Sequence, residues 1–227
     1  MKKRIESIVV GVIETNCWLY LLDEAEGSCA VIDPGDEGEA IISRLKELAW
    51  VPRYIFLTHG HFDHLMALPD LLKAWGKGDL PRIGIHRLDA HYLGKDALSA
   101  HRDSFSAAGG NPAFVDSIWN PLPNADVLLE EGDTAGPFRV LHLPGHTSGS
   151  AGFYDEKAGI LFTGDTLFRG AQGQPAYGRT DLPGGDSGQM DQSLKRLLSM
   201  EKEITIYPGH GPASTIGEES ARSWANP

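Results

Sequence analysis

The stretch Tyr54-Ile55-Phe56-Leu57-Thr58-His59-Gly60-His61-Phe62-Asp63-His64 carries the densest chemistry in the chain. Its first four residues, all apolar or aromatic, read as a buried strand, so three imidazoles and a carboxylate emerge at that strand's C-terminal end. In extended backbone, residues two apart point the same way, which lets His59 and His61 share one metal ion. Asp63 and His64 are adjacent and need a turn to converge, and Gly60 eases that turn.

Working outward, residues 7–13 and 17–22 have strand composition. The turn Asp23-Glu24-Ala25-Glu26-Gly27 follows, and a third strand over 28–32 ends at Asp33-Pro34-Gly35. Ala40, Ile41, Leu45 and Leu48 recur at helical spacing ahead of Pro52, and Leu65, Leu68, Leu71, Leu72 and Trp75 form the apolar face of a helix after the ligand run. From Gly76 to Pro123 the pattern is less regular, with a short strand at 82–86, a helix over 88–98 and a break at Gly109-Gly110-Asn111-Pro112. Strands then return at 127–129, 138–143, 150–154 and 160–163. Met190, Leu194, Leu197 and Leu198 mark another helix, residues 204–207 a last strand and 217–225 a terminal helix. Two halves, each with strands followed by helices, predict an α/β fold of two packed sheets with helices outside, formed as one domain over residues 1–227.

A net charge of −11 argues against a nucleic-acid partner, because phosphate-backbone binders present a basic stripe and none is visible. Part of that acidity offsets metal charge if two divalent ions are bound. Met1-Lys2-Lys3-Arg4 is basic but is followed by neither a long apolar region nor a small-residue cleavage site, so a cytoplasmic start is expected, with no membrane span. Cys17 and Cys29 sit in apolar strand segments and read as reduced packing residues.

Three more ligand candidates stand where the first group does, at strand ends beside glycine: His146 in Leu143-Pro144-Gly145-His146-Thr147, Asp165 in Thr163-Gly164-Asp165, and His210 in Pro208-Gly209-His210-Gly211. Ligand sites in open α/β sheets favour the crevice outside strand C-termini, so these strands can aim at one place. A catalytic zinc takes three protein ligands and a structural one four; seven candidates are too many for one ion. Two ions divide them simply, with His59, His61 and His146 on one, Asp63, His64 and His210 on the other, and Asp165 bridging at a metal separation of about 3.5–4 Å. Solitary histidines such as His91, His101 and His142 are read as surface or hydrogen-bonded residues.

The His-Gly-His-Phe-Asp-His run, followed in order by Pro-Gly-His146-Thr, Gly-Asp165 and Pro-Gly-His210-Gly, resembles the metallo-β-lactamase superfamily. The resemblance spans most of the chain and implies a four-layer αβ/βα sandwich with the metals at one edge of two mixed sheets. Asp33-Pro34-Gly35 matches a family turn that shapes the site floor and is not itself catalytic. Leu167-Phe168, the run Gly178-Arg179-Thr180-Asp181-Leu182-Pro183-Gly184-Gly185-Asp186 and Thr215-Ile216-Gly217-Glu218-Glu219 are similar to the small type II glyoxalase-like hydrolases, which act on glutathione thioesters such as S-lactoylglutathione. Gly-Arg-Thr-Asp also occurs in persulfide dioxygenases, whose single iron is held by residues corresponding to His59, His146 and Asp165. The chain departs from the larger glyoxalases in ending at Pro227, without their helical C-terminal domain. It also carries a longer segment over 169–177, where Gly170, Gly173 and Pro175 make a mobile insert that reshapes the mouth.

The expected mechanism follows from charge. A water between two divalent ions loses a proton near neutral pH, and the hydroxide attacks a thioester carbonyl polarised by metal. Zinc is the first expectation, with iron or manganese as alternatives. Asp63 and Asp165 are the expected catalytic carboxylates, with Asp63 orienting the nucleophile or holding a proton. The thiolate departs with little acid assistance, which suits a chain showing no Ser-His-Asp or Cys-His arrangement. Arg179 is expected to hold Asp181, with an anionic substrate end as its other possible partner, and Tyr177 to touch the substrate. The alternatives are an iron-dependent glutathione persulfide dioxygenase and another ester or lactone hydrolase of the superfamily. β-Lactam cleavage is disfavoured by the carboxylate at Asp165, a nuclease by the charge, and a retired enzyme by the full set of seven ligands.

Overall fold

The computed structural model describes residues 5–75, 80–171 and 176–222. Met1 to Arg4, Gly76, Gly173 and Pro175 of the insert, and the end of the expected terminal helix lie outside the described residues.

The chain begins with β1 (Ile5–Val10), β2 (Thr15–Asp23) and β3 (Ser28–Ile32), then α1 (Gly38–Leu48), β4 (Val51–Leu57), α2 (Leu68–Trp75) and β5 (Arg82–His86). Helices α3 (Ala97–Ala107) and α4 (Pro112–Ile118) precede β6 (Val127–Leu129). The second half runs β7 (Thr134–Ala135), β8 (Phe138–His142), β9 (Ala151–Asp155), β10 (Ile160–Gly164), α5 (Ser187–Leu198), β11 (Thr205–Pro208), β12 (Ser214–Thr215) and α6 (Ile216–Ala221). Strands β1 to β6 form one sheet in sequence order, and β12-β11-β10-β9-β8-β7 the other. Both are mixed: β3, β4, β5 and β6 run parallel after an antiparallel meander, and β10 and β11 run parallel within an otherwise antiparallel sheet.

The two-residue period of a strand explains the layering. Along β2, Trp18 and Tyr20 face the second sheet and pack with Phe56, Phe138, Phe153 and Phe162, while Cys17, Leu19 and Leu21 face the helices with Ile41, Leu45, Leu68 and Leu71. A third cluster, including Leu141, Leu161, Leu194, Leu197 and Ile206, seats α5 against the outer face of the second sheet. Helix, sheet, sheet and helix therefore stack in the expected αβ/βα order, closed by aromatic pairs such as Phe56–Phe153 at 5.0 Å. A buried hydrogen bond from Tyr20 Oη to Asp155 Oδ2 (2.7 Å) joins the sheets. Cys17 and Cys29 are free thiols in the core, and no described helix is long and apolar enough to cross a membrane.

The structure moves several boundaries. The first strand spans 5–10 instead of 7–13, because Gly11 and Glu14, both at positive φ, turn the chain into β2. The helix expected over 88–98 is a 3-10 turn, Arg87–Tyr92, after which Gly94 at φ 82° resets the chain before α3 begins. The break at 109–112 is also a start: Asn111 caps α4 by accepting a hydrogen bond from the Ala113 amide (3.0 Å), with Pro112 in the first turn. The two-residue strands β7 and β12 were too short for their composition to signal.

Candidate metal centre

All seven candidate ligands meet at one edge of the sandwich. Their strand ends approach from both sheets: β4 delivers His59 to His64, while β8, β10 and β11 lead to His146, Asp165 and His210. Ligand-type atoms of His59, His61 and His146 lie within 4.8 Å of one another, as do those of Asp63, His64 and His210. Asp165 sits between the groups: Oδ2 is 3.5 Å from Nε2 of His146 and of His210, and Oδ1 is 3.5 Å from His64 Nε2. The 3-10 turn Phe62–His64 makes Asp63 and His64 converge.

The first group is buried, with His61 and His146 reaching the wall of the mouth. His59, His61 and His146 are all buried, as is His64 of the second group, whose Asp63 and His210 side chains are each about a quarter exposed. Electrostatics differ in the same sense. Burial, followed by the neighbouring imidazoles of His64, His146 and His61, holds the His59 pKa well below its usual value, and burial first and then His146 push His61 down to about 3. Burial also penalises the His64 cation, but Asp63, Asp165 and Asp33 overcome it and hold that pKa well above the usual value. For His210, burial is likewise outweighed by Asp165 and Asp63, raising it to about 10.

These features fit divalent cations. His59 Nε2 and His61 Nε2 are buried without a hydrogen-bond partner, a costly arrangement for polar atoms unless something else meets them. His59 and His61 are held as neutral imidazoles, which offer lone pairs. In the second group, protons on His64 and His210 offset clustered carboxylates, and a cation can do the same while displacing those protons.

Several residues that orient the ligands were not singled out as site residues in the sequence. Asp33, buried and at φ 54°, accepts hydrogen bonds from Thr58 N (2.8 Å) and Thr58 Oγ1 (2.7 Å), and its Oδ2 lies 3.0 Å from His64 Nδ1. The turn expected only to shape the floor therefore also aims an imidazole. Asp89, fully buried in the 3-10 turn after β5, accepts from Gly60 N (2.9 Å), Thr147 Oγ1 (2.7 Å) and Gly149 N (2.7 Å), tying the His59–His61 loop to the loop of His146. Thr15 Oγ1 donates to Asp63 Oδ2 (2.8 Å). Asn16 Nδ2 donates to the carbonyls of Pro208 (3.0 Å) and Gly211 (2.7 Å), fixing the loop of His210.

Other expectations resolve as follows. Gly60 has ordinary backbone, and what requires glycine there is the Tyr92 ring, which a Cβ would strike. Arg179 pairs bidentately with Asp181 (2.7 and 2.8 Å) on the surface, while its carbonyl accepts from His146 Nδ1 (2.7 Å), fixing the tautomer that leaves Nε2 facing the cluster. Tyr177 lies at the mouth, 48% exposed. The insert is anchored at its base, where Phe168 N donates to Ala176 O (2.8 Å). His91, His101 and His142 each bond a backbone carbonyl instead of joining the cluster.

A family model described as the metallo-beta-lactamase superfamily matches residues 10–210. The chain belongs to that superfamily. Hydroxyacylglutathione hydrolase GloC of Haemophilus influenzae is 35% identical over 216 residues, covering 95% of this chain and 94% of the relative. The crystal structure of TTHA1623 in a di-iron-bound form superposes with a TM-score of 0.77 at 35% identity, covering 96% of this chain and 98% of the other. BLEG-1, described as a B3 metallo-beta-lactamase, superposes with a TM-score of 0.76 at 33% identity over 95% of both chains. This is therefore a metallo-hydrolase of the superfamily, built around a His/Asp cluster.

Proposed function

We propose that the protein is a binuclear metal-dependent hydrolase of glutathione-type thioesters, similar to hydroxyacylglutathione hydrolase. The observation that carries this reading is the pairing of two ligand triads with one carboxylate, Asp165, in reach of both. His59, His61 and His146 would hold one ion, Asp63, His64 and His210 the other, and Asp165 both. Two divalent ions in these sets supply an acidified water as nucleophile and polarise the carbonyl oxygen under attack. Zinc is the first choice of metal, and the di-iron form of TTHA1623 supports iron as the alternative.

The chain's own groups account for the remaining steps. Asp63 Oδ2, steadied by Thr15 Oγ1, lies 3.2 Å from His64 Nε2 and 3.4 Å from His210 Nε2, where it can accept and pass on a proton. The thiolate leaves without a dedicated acid. A small-molecule substrate suits a mouth of about 550 Å³ beside the ligands. The 35% identity to GloC supports the thioester, and free, buried Cys17 and Cys29 suit a reducing cytoplasmic setting.

Metal analysis of the purified protein, with parallel assays of S-lactoylglutathione hydrolysis, oxygen uptake on glutathione persulfide and β-lactam cleavage, tests the proposal. Two ions with thioester hydrolysis are expected. One iron with oxygen uptake and no hydrolysis would establish the dioxygenase reading instead, and lactam cleavage alone would overturn the substrate assignment.

A further inference from the structure

The mouth over the metal centre is mostly carbon. One wall comes from Phe62, Phe105 of α3, Ala108 just after it and Phe114 of α4, with Phe105 and Phe114 stacked at 5.5 Å. Phe114 is 51% exposed and Val12, at the lip, is fully exposed. Large side chains left in water on this scale mark a binding surface, and these continue directly into the cavity containing His61, Asp63, His146, Asp165 and His210.

Two polar groups of the α3 wall already have partners. His101 Nε2 bonds the Tyr92 carbonyl (2.9 Å) and Ser104 Oγ bonds Tyr92 Oη (3.2 Å). The remaining imidazole nitrogen, His101 Nδ1, is buried out of reach of solvent. Among the described lining residues Arg179 is the only lysine or arginine, and its guanidinium is clamped by Asp181. The Phe105–Phe114 wall thus offers no cation for a carboxylate, and the polar atom it leaves unpartnered, His101 Nδ1, is buried away from solvent.

We propose that the enzyme prefers thioesters whose acyl group is uncharged and apolar, an aryl or branched alkyl chain, seated on the Phe62–Phe105–Phe114 wall; this rests on the thioester reading above. The reaction is ordinary hydrolysis. Water's oxygen bonds to the acyl carbon, the C–S bond breaks with its electron pair leaving on sulfur, and the products are an apolar carboxylate, a thiol and the proton that balances them. The carboxylate end stays at the ligand cluster while its carbon arm lies along the rings.

The test holds the thiol half constant, comparing S-lactoylglutathione with S-phenylacetylglutathione on the metal-loaded protein. We expect kcat/KM to favour phenylacetyl at least about tenfold, mainly through KM, as for a hydrophobic pocket that gains several methylene equivalents. The F114S substitution, at an exposed position, should collapse that ratio toward one. Equal or better use of the lactoyl substrate, or a ratio unchanged by F114S, overturns the proposal while leaving thioester hydrolysis intact. If neither thioester is cleaved, the hydrolase reading fails, and calorimetry with phenylacetate and lactate still judges the wall. Tighter binding of phenylacetate, lost in F114S, supports it, and equal binding overturns it. A concentration-dependent dimer abolished by F114S would assign the patch to a second copy of the chain and would also overturn it.

Discussion

The two ligand groups lie side by side but are built differently. His59, His61 and His146 are buried imidazoles held from the interior, where Asp89 ties together loops from both halves of the chain. Asp63 and His210 are more open and flank the buried His64; this group stands among carboxylates and is braced by Thr15 and Asn16 at the start of β2. The first group is organised by sterics and backbone hydrogen bonds, so its shape survives without charge balance. The second is organised by opposite charges, so its balance depends on what cation or proton is present. Asp165, touching one imidazole of the first group and two of the second, joins them.

Removing the joint should have the largest effect. Asp165→Ala is expected to lower bound metal below two equivalents and to reduce hydrolysis at least about 100-fold, because both ions lose a ligand together. Metal content by emission spectroscopy alongside kcat provides the check; two retained ions and full activity would show that Asp165 bridges nothing.

A smaller and more selective effect is expected inside the first group. Asp89→Asn keeps the side-chain size but replaces an acceptor oxygen with an amide NH₂ among three donors, leaving at least one of them unpaired. Metal affinity of the first group should fall about 10–100-fold, with a much smaller change in the second. Competitive titration against a metal indicator resolves the two steps. Equal weakening of both would mean that Asp89 supports the fold in general and not the His59–His146 pairing.

The same contrast explains what could be read in advance. The convergence of the candidate ligands was legible because each of the four segments ends a strand, and six of the seven residues stand in short His-rich or Gly-His settings. The layers were legible because β2 and β4 are apolar on both faces, as strands between a helix layer and a second sheet must be. Asp89 was not legible: its partners stand 29, 58 and 60 residues away, and an aspartate in a short turn has no local mark of that role. The apolar wall was hidden too, because the expected helix over 88–98 misplaced α3 and so left Phe105 and Phe114 without a common face.

The smallest effect should come from Thr15. Its hydroxyl reaches the second group from the first turn of the chain, donating to Asp63 Oδ2 at 2.8 Å, and the residue is buried where β2 meets His210. Thr15→Val preserves the β-branched shape that the strand favours and removes only the donor. Asp63 keeps its contacts with His64 and His210, so the loss is one charge-assisted hydrogen bond, about 1.5 kcal/mol or roughly tenfold in affinity for the second ion. The first ion should bind as before, since none of its ligands touches this hydroxyl. Calorimetric titration of the variant should therefore show one transition unchanged and one weakened. If both weaken equally, the two groups act as one cooperative unit, and the division between a scaffolded and a charge-balanced half fails.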